Sequence, residues 1–169
     1  MKILRLIFPV FILLACIKPA CAESVWGIFP GMDGPAAVKM LGNPTKTADK
    51  KDFLSYFYID QFGYGSRFII DIDKSNNAVD MVMVYKTDPS VRTEQGVFCG
   101  NSPRKIKDIY GKPKDDAKGI LGGEEVFYYI YEIRTFIATQ KLYFVFSRAD
   151  RSLEMMVLSR KPLLIEKFL

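Results

Sequence analysis

The chain has 169 residues, with 24 Lys and Arg, 19 Asp and Glu, three cysteines, no histidine and a formal charge of +5. Without histidine there is no imidazole general base, no Ser-His-Asp or Cys-His arrangement and no imidazole metal ligand. Three cysteines are too few for a disulfide-rich scaffold, so the fold must rest on an apolar core.

Residues 1–22 have the pattern of a secretory signal peptide. Two basic residues precede an apolar run from Leu6 to Ile17, and Ala20-Cys21-Ala22 offers small residues at alternate positions for cleavage before Glu23. The run is about twelve residues long, and roughly twenty are needed to span a bilayer core, so a retained transmembrane helix is not expected. We therefore predict an exported protein of the periplasm or the extracellular space.

A second interpretation of the same segment is a lipoprotein signal. Leu13-Leu14-Ala15-Cys16 has the form of a lipobox, in which a bacterial lipoprotein is cut before a cysteine that becomes lipidated. The protein would then be an envelope lipoprotein of mainly structural role, and lipidation of Cys16 is its only predicted route to a membrane. This cut would also retain Cys21 and allow a disulfide between Cys21 and Cys99, whereas a cut before Glu23 leaves Cys99 alone.

The charge of the mature chain is small. Three of the basic residues, Lys2, Arg5 and Lys18, lie in the signal segment and all 19 acids follow it, which leaves a net charge of +2. So weak an excess predicts neither nucleic acid nor a strongly anionic membrane as partner. The densest basic cluster is interpreted as the solvated face of a helix and its following loop, with partner binding as the less favoured alternative. It consists of Arg104, Lys105, Lys107, Lys112, Lys114 and Lys118.

The remainder of the chain contains an internal repeat. At an offset of 69 residues, Gly27-Ile28-Phe29 aligns with Gly96-Val97-Phe98, and Met40–Pro44 aligns with Ile109–Pro113. The offset grows in the loops, where insertions are tolerated, so we predict a duplication. The predicted units are a first α+β repeat at residues 23–87, a second at residues 88–160 and a tail at residues 161–169 that packs on the body.

Each repeat is predicted to begin with a glycine turn and a short helix. Asp33 and Ser102 are the expected N-caps, and Gly42 and Gly111 the expected helix ends. The apolar period then becomes two, which indicates half-buried antiparallel strands. The last strands of the two repeats are predicted at Val79 to Tyr85 and Leu153 to Ser159. The predicted fold class is therefore α+β, with two tandem repeats that each pack a short helix on a three- or four-stranded antiparallel sheet.

Aromatic side chains are concentrated in matching segments of the two repeats. Alternation along a strand sends them to both faces of the sheet, and one of these faces must meet the helix. The rings on the other face form either the interface between the two halves or a surface for a partner protein, where tyrosine is favoured. For the second alternative the candidate residues are Tyr56, Tyr58, Tyr64, Tyr128, Tyr129 and Tyr131.

No catalytic, cofactor-binding or metal-ligating set is predicted. Cys99 has no base near it in sequence, so a structural or disulfide-bonded thiol is expected rather than a nucleophile. The adjacent acids Asp115 and Asp116, like Glu124 and Glu125, are expected in or beside a polar loop, where neighbouring carboxylates are usually solvated and do not form the separated pair of a glycosidase. We therefore predict a protein that is not an enzyme and holds no cofactor.

The glycine-led turn, the short helix that ends in Leu41-Gly42-Asn43-Pro44, and the β-meander after it resemble a superfamily of small secreted bacterial modules. This superfamily includes the SmpA/OmlA domain and the tandem-repeat β-lactamase inhibitor proteins. The resemblance implies a helix-on-sheet layer in each half and a binding function. No functional residue of the family transfers to a position of this chain. The resulting prediction is an exported, non-enzymatic module that binds another protein, of inhibitor or envelope-assembly type.

Overall fold

A computed structural model describes residues 22–135 and 138–162 of the protein. Within these ranges the order of elements is a helix, four strands, a second helix and four more strands. The helices are α1 (Gly34–Leu41) and α2 (Pro103–Tyr110). The strands are β1 (Lys46–Asp49), β2 (Phe53–Ile59), β3 (Arg67–Asp73), β4 (Ala78–Tyr85), β5 (Asp115–Leu121), β6 (Glu124–Arg134), β7 (Thr139–Ser147) and β8 (Leu153–Ser159).

The eight strands of the described chain form one antiparallel sheet in the order β1-β2-β3-β4-β8-β7-β6-β5. At its centre β4 lies beside β8, with Met83 opposite Val157. The predicted fold class of two units with a small sheet each is therefore wrong. The physical reason is that β4 and β8 are apolar on both of their faces and almost wholly buried. As edge strands they would expose unpaired backbone groups, and their mutual pairing removes both edges.

The helix boundaries follow local capping chemistry, and the predicted caps are confirmed. The Asp33 carboxylate accepts a hydrogen bond from the backbone N–H of Ala36 at 3.0 Å, and the Ser102 hydroxyl accepts one from Lys105 N–H at 3.3 Å. Each helix ends at a glycine with positive φ, 80° at Gly42 and 78° at Gly111. Glycine adopts this conformation without a steric penalty, so both helices stop where the sequence indicates.

Both helices cover the same face of the sheet, and a continuous core lies beneath them. Ala37 and Leu41 of α1 and Ile106 of α2 pack in one apolar cluster with side chains from both halves of the sheet. The extended segments that precede the helices add Val25 and Val97 to it. The largest side chains that this core buries completely are Tyr58, Phe68, Phe144 and Phe146.

The residues that follow β8 are held against the sheet by ion pairs. Lys161, the first residue of the predicted tail, places its Nζ 3.0 Å from Asp73 Oδ2 and 3.4 Å from Asp80 Oδ1. The rest of the tail, from Leu163 onward, lies outside the described residues. So do the predicted signal segment up to residue 21, Cys16 and Cys21, and these predictions remain untested.

Candidate functional site

The face of the sheet opposite the helices has an apolar centre, and we call it the helix-free face. Its side chains come from strands alone, and no described helix or loop contributes to their cluster. Its buried centre consists of Met81, Met83, Val126, Tyr143, Val145, Met155 and Val157. The half-buried residues packed around this centre are Ile69, Tyr85, Leu121, Tyr128 and Ile130.

The helix-free face is concave. Ile69 of β3 and Leu121 of β5 line one cavity of about 430 Å³ together with Met83 and Met155. Five strand-to-strand steps separate β3 from β5 in the sheet, which would be about 24 Å in a flat sheet at the usual spacing of about 4.8 Å. The sheet must therefore coil until the β5–β6 hairpin approaches β3 and β4, as strongly twisted sheets do. This curvature brings the strand side chains of the centre against one another.

The charges beside this cavity are held in place around an aromatic ring. Lys86 Nζ lies 3.3 Å from Glu154 Oε1 and 5.2 Å from the centre of the Tyr85 ring, and the Arg67 guanidinium lies 5.8 Å from the same ring. A hydrogen bond to Tyr85, supported by Glu154, raises the pKa of Lys86 above its usual range. The cavity thus has an apolar floor of methionine and leucine under a polar rim, which is the composition of protein–protein interfaces.

The acids at the other end of the helix-free face serve structural contacts. Hydrogen bonds from Ser75 and then Lys161 lower the pKa of Asp73 to about 2, so its carboxylate stays ionised and accepts them. Burial raises the pKa of Asp71, its neighbour on the same side of β3. Across residues 22–135 and 138–162, no three His, Cys, Asp or Glu side chains are placed to hold a metal ion.

The tyrosines that the sequence suggests for partner binding are divided between different environments. Tyr58, Tyr129 and Tyr131 face the helices and are only 0%, 6% and 5% exposed. Tyr56 is half-buried on the same side, against the core. Tyr128 lies on the helix-free face, and Tyr64 is fully exposed in the turn between β2 and β3.

The central methionines of the helix-free face were not identified from the sequence. Met81, Met83 and Met155 occupy strands in which both alternating sets of positions are apolar. That double pattern was the available signal, because a strand with one solvated face alternates between apolar and polar residues. Methionine side chains are flexible and polarizable, so they adapt to partners of different shape.

Cys99 has the character of a structural thiol. Its Sγ donates a weak hydrogen bond to the carbonyl oxygen of Glu154 at 3.3 Å, and it forms no disulfide with any described residue. Burial raises the pKa of the thiol, which keeps it protonated and poorly nucleophilic. The disulfide to Cys21 and the lipidation of Cys16 remain predictions.

Within the part of the chain that the structure describes, no helix has both the length and the apolar character needed to cross a membrane.

Comparison with known proteins adds little to this description. No family model matches the chain, and no curated protein matches it. A solved structure entitled "Crystal structure of putative beta-lactamase inhibitor protein from Streptococcus mutans" is similar over 76% of this chain and 83% of that chain, with 16% identity and a TM-score of 0.31. A similarity this low indicates neither a shared fold nor a shared function. The resemblance to the SmpA/OmlA domain receives no support.

Proposed function

We propose that this chain is an exported, non-enzymatic binding module that holds a partner protein on its helix-free face. The observation that carries the proposal is the cavity on this face, whose apolar lining consists of Ile69, Met83, Leu121 and Met155. Interfaces between proteins are enriched in methionine and aromatic side chains and bury their anchors in such concave, water-excluding pockets. Membrane attachment would depend on lipidation of Cys16, and a mature chain that begins at Glu23 would not be anchored.

The cavity between β3 and the β5–β6 hairpin is the natural anchor point on this face. Met83 and Met155 form its floor, Leu121 closes one side, and Arg67 and Glu124 supply charges at the edge. Its volume of about 430 Å³ lies within the range of cavities that enclose small ligands or large side chains. A partner loop that presents one or two large apolar side chains would fill it, and the edge charges would orient the loop.

The experiment is capture of a partner from native envelope extract by immobilised protein, with variants of matched chemistry. Tyr128→Ala removes a half-buried ring of the helix-free face, and Leu121→Asp places a charge at the cavity. Both should lower the affinity at least about tenfold, because truncation of an anchor typically costs more than 1 kcal/mol. Tyr64→Ala is the control, since it removes a fully exposed tyrosine from a turn outside this face.

Thermal melts of all three variants distinguish lost binding from lost folding. Equal capture by the wild type and both face variants would contradict the proposal. A loss of capture with Tyr64→Ala alone would instead place the partner on the turn between β2 and β3.

A further inference from the structure

We propose that a second concavity, on the helix side of the sheet, binds an acidic extended segment of a protein. We call it the basic groove. It lies over β5 and β6, and it has a volume of about 490 Å³. Its floor is formed by Phe127 and Tyr129 of β6. The cations around it are Lys107 of α2, Lys118 of β5, and Arg148 and Arg151 of the turn between β7 and β8.

The groove has an excess of positive charge that the described residues do not neutralise. Arg148 forms an ion pair with Glu125, and Asp116 is the acid that lines the groove. Lys118 and Arg151 have no carboxylate within salt-bridge distance among the described residues. Unpaired cations that converge on one concave site from separate elements favour an anionic ligand, because hydrogen bonds to ionised groups are the stronger ones.

Arg151 is held in a conformation that is unfavourable for arginine. Its φ is 58°, in the left-handed region, and the hairpin turn between β3 and β4 places Asn77 there with a φ of 57°. Asparagine enters this region more readily than arginine does, so the turn between β7 and β8 retains a strained residue. The same turn sets the Arg151 guanidinium 5.9 Å from the centre of the Phe127 ring. Strain of this kind collects at functional sites, which supports a role for Arg151 in the groove.

The rings of the floor are arranged for carboxylates rather than for nucleobases. Lys107 Nζ stands 4.7 Å from the centre of the Tyr129 ring. Phe127 is stacked on Phe146, with ring centres 4.9 Å apart, and the Arg151 guanidinium also lies over the Phe127 ring. Proteins that bind single-stranded nucleic acid stack bases on free aromatic faces, and these faces are already occupied. Cations fixed over rings still present their remaining N–H groups to carboxylate oxygens.

The position of the groove also indicates an extended peptide. Lys118 belongs to β5, the last strand of the sheet, which pairs only with β6 among the described strands. An edge strand offers unpaired backbone N–H and C=O groups to a segment that lies alongside it. An acidic segment added along β5 would bring its carboxylates beside Lys118 and the arginines of the neighbouring turn.

The test is a fluorescence anisotropy titration of the protein with a fluorescein-labelled peptide of eight glutamates at low salt. We expect binding that weakens as salt is added, because the attraction is between charges. Lys118→Glu should weaken it about tenfold or more, in line with the loss of one hydrogen bond to a charged group. Lys39→Glu is the matched control, because it makes the same charge change on α1, away from the groove. It should change the affinity less than twofold.

Arg151→Gly tests the role of the strained turn residue. It should weaken peptide binding about tenfold while leaving the thermal stability equal to or above that of the wild type, because glycine adopts positive φ freely. A loss of stability together with a loss of binding would show that Arg151 has a structural role and would contradict its role in peptide binding.

Three further outcomes would overturn the proposal. They are no binding of the peptide by the wild type, equal weakening by Lys118→Glu and Lys39→Glu, and tighter binding of an eight-nucleotide single-stranded DNA than of the peptide. The test is independent of the helix-free face, since Tyr128→Ala should leave peptide binding unchanged.

Discussion

Two buried tyrosines, one in each half of the sheet, differ in what their hydroxyl groups contact. The hydroxyl of Tyr58 is buried and has no hydrogen-bond partner among the described residues. The hydroxyl of Tyr131 donates to the carbonyl oxygen of Gly111 at 3.1 Å. Burial raises the pKa of both phenols to about 12, so both stay neutral at physiological pH. An unpaired buried hydroxyl costs its desolvation, whereas a paired one contributes to stability.

Replacement of each tyrosine by phenylalanine should therefore have opposite effects. Tyr58→Phe should raise the free energy of unfolding by about 1 kcal/mol, because it removes an unpaired polar atom. Tyr131→Phe should lower it by about 1 kcal/mol, because it leaves the Gly111 carbonyl without this donor. Urea denaturation of both variants measures the difference. Changes of the same sign would show that the two hydroxyls have equivalent surroundings.

Among the elements, α1 approaches the sheet more closely than a side chain at its first residue would permit. Gly34 N–H donates to the carbonyl oxygen of Asn77 at 2.8 Å. A Cβ atom at Gly34 would lie 2.8 Å from two methyl carbons of Ile72 and 2.9 Å from the Asn77 oxygen. Glycine thus lets the start of α1 dock on the β3–β4 hairpin, whereas α2 begins with Pro103.

Gly34→Ala should destabilise the protein by about 1 to 3 kcal/mol, the usual cost of overpacking a tight contact. Alanine is the better helix former, so intrinsic propensity alone predicts the opposite sign. Lys39→Ala on the exposed side of the same helix is the control and should change the stability by less than about 0.5 kcal/mol. Thermal or urea unfolding of both variants gives the comparison. A more stable Gly34→Ala variant would contradict the close approach.

At the scale of the whole molecule, the two halves share one sheet and one core. The pairing of β4 with β8 joins them, and the core under the helices contains residues of both halves, such as Phe68 and Phe144. Either half alone would expose one of these apolar strands at an edge and lose part of its core. A unit of about 65 residues is already marginal in the surface it buries. The two halves should therefore unfold together.

Urea unfolding followed by two probes tests this cooperativity. Trp26, the single tryptophan of the chain, packs edge-on against Phe62 at 4.9 Å between ring centres and reports on the first half. Far-ultraviolet circular dichroism reports on the whole sheet. The two transitions should coincide, as in two-state unfolding. Separate midpoints would indicate two independently stable units.

What lies on the helix-free face could be predicted only in part. Tyr128 was among the candidates because alternation places tyrosines on both faces. Alternation does not say which set meets the helices, and the helices cover the face that contains Tyr58, Tyr129 and Tyr131. The methionine centre was missed because its role depends on the curvature of the sheet, which arises from strands distant in sequence.

The sequence by itself determined the features that short-range chemistry controls. Asp33 and Ser102 start the helices, Gly42 and Gly111 end them, and the last strand was expected at Leu153 to Ser159, where it is found. Only the tertiary structure decided that β4 pairs with β8, that eight strands form one sheet and that this sheet coils into a concave face. An apolar period of two predicts that a segment is a strand. Which strand it pairs with depends on the burial of both of its faces, and that pairing joins residues far apart along the chain.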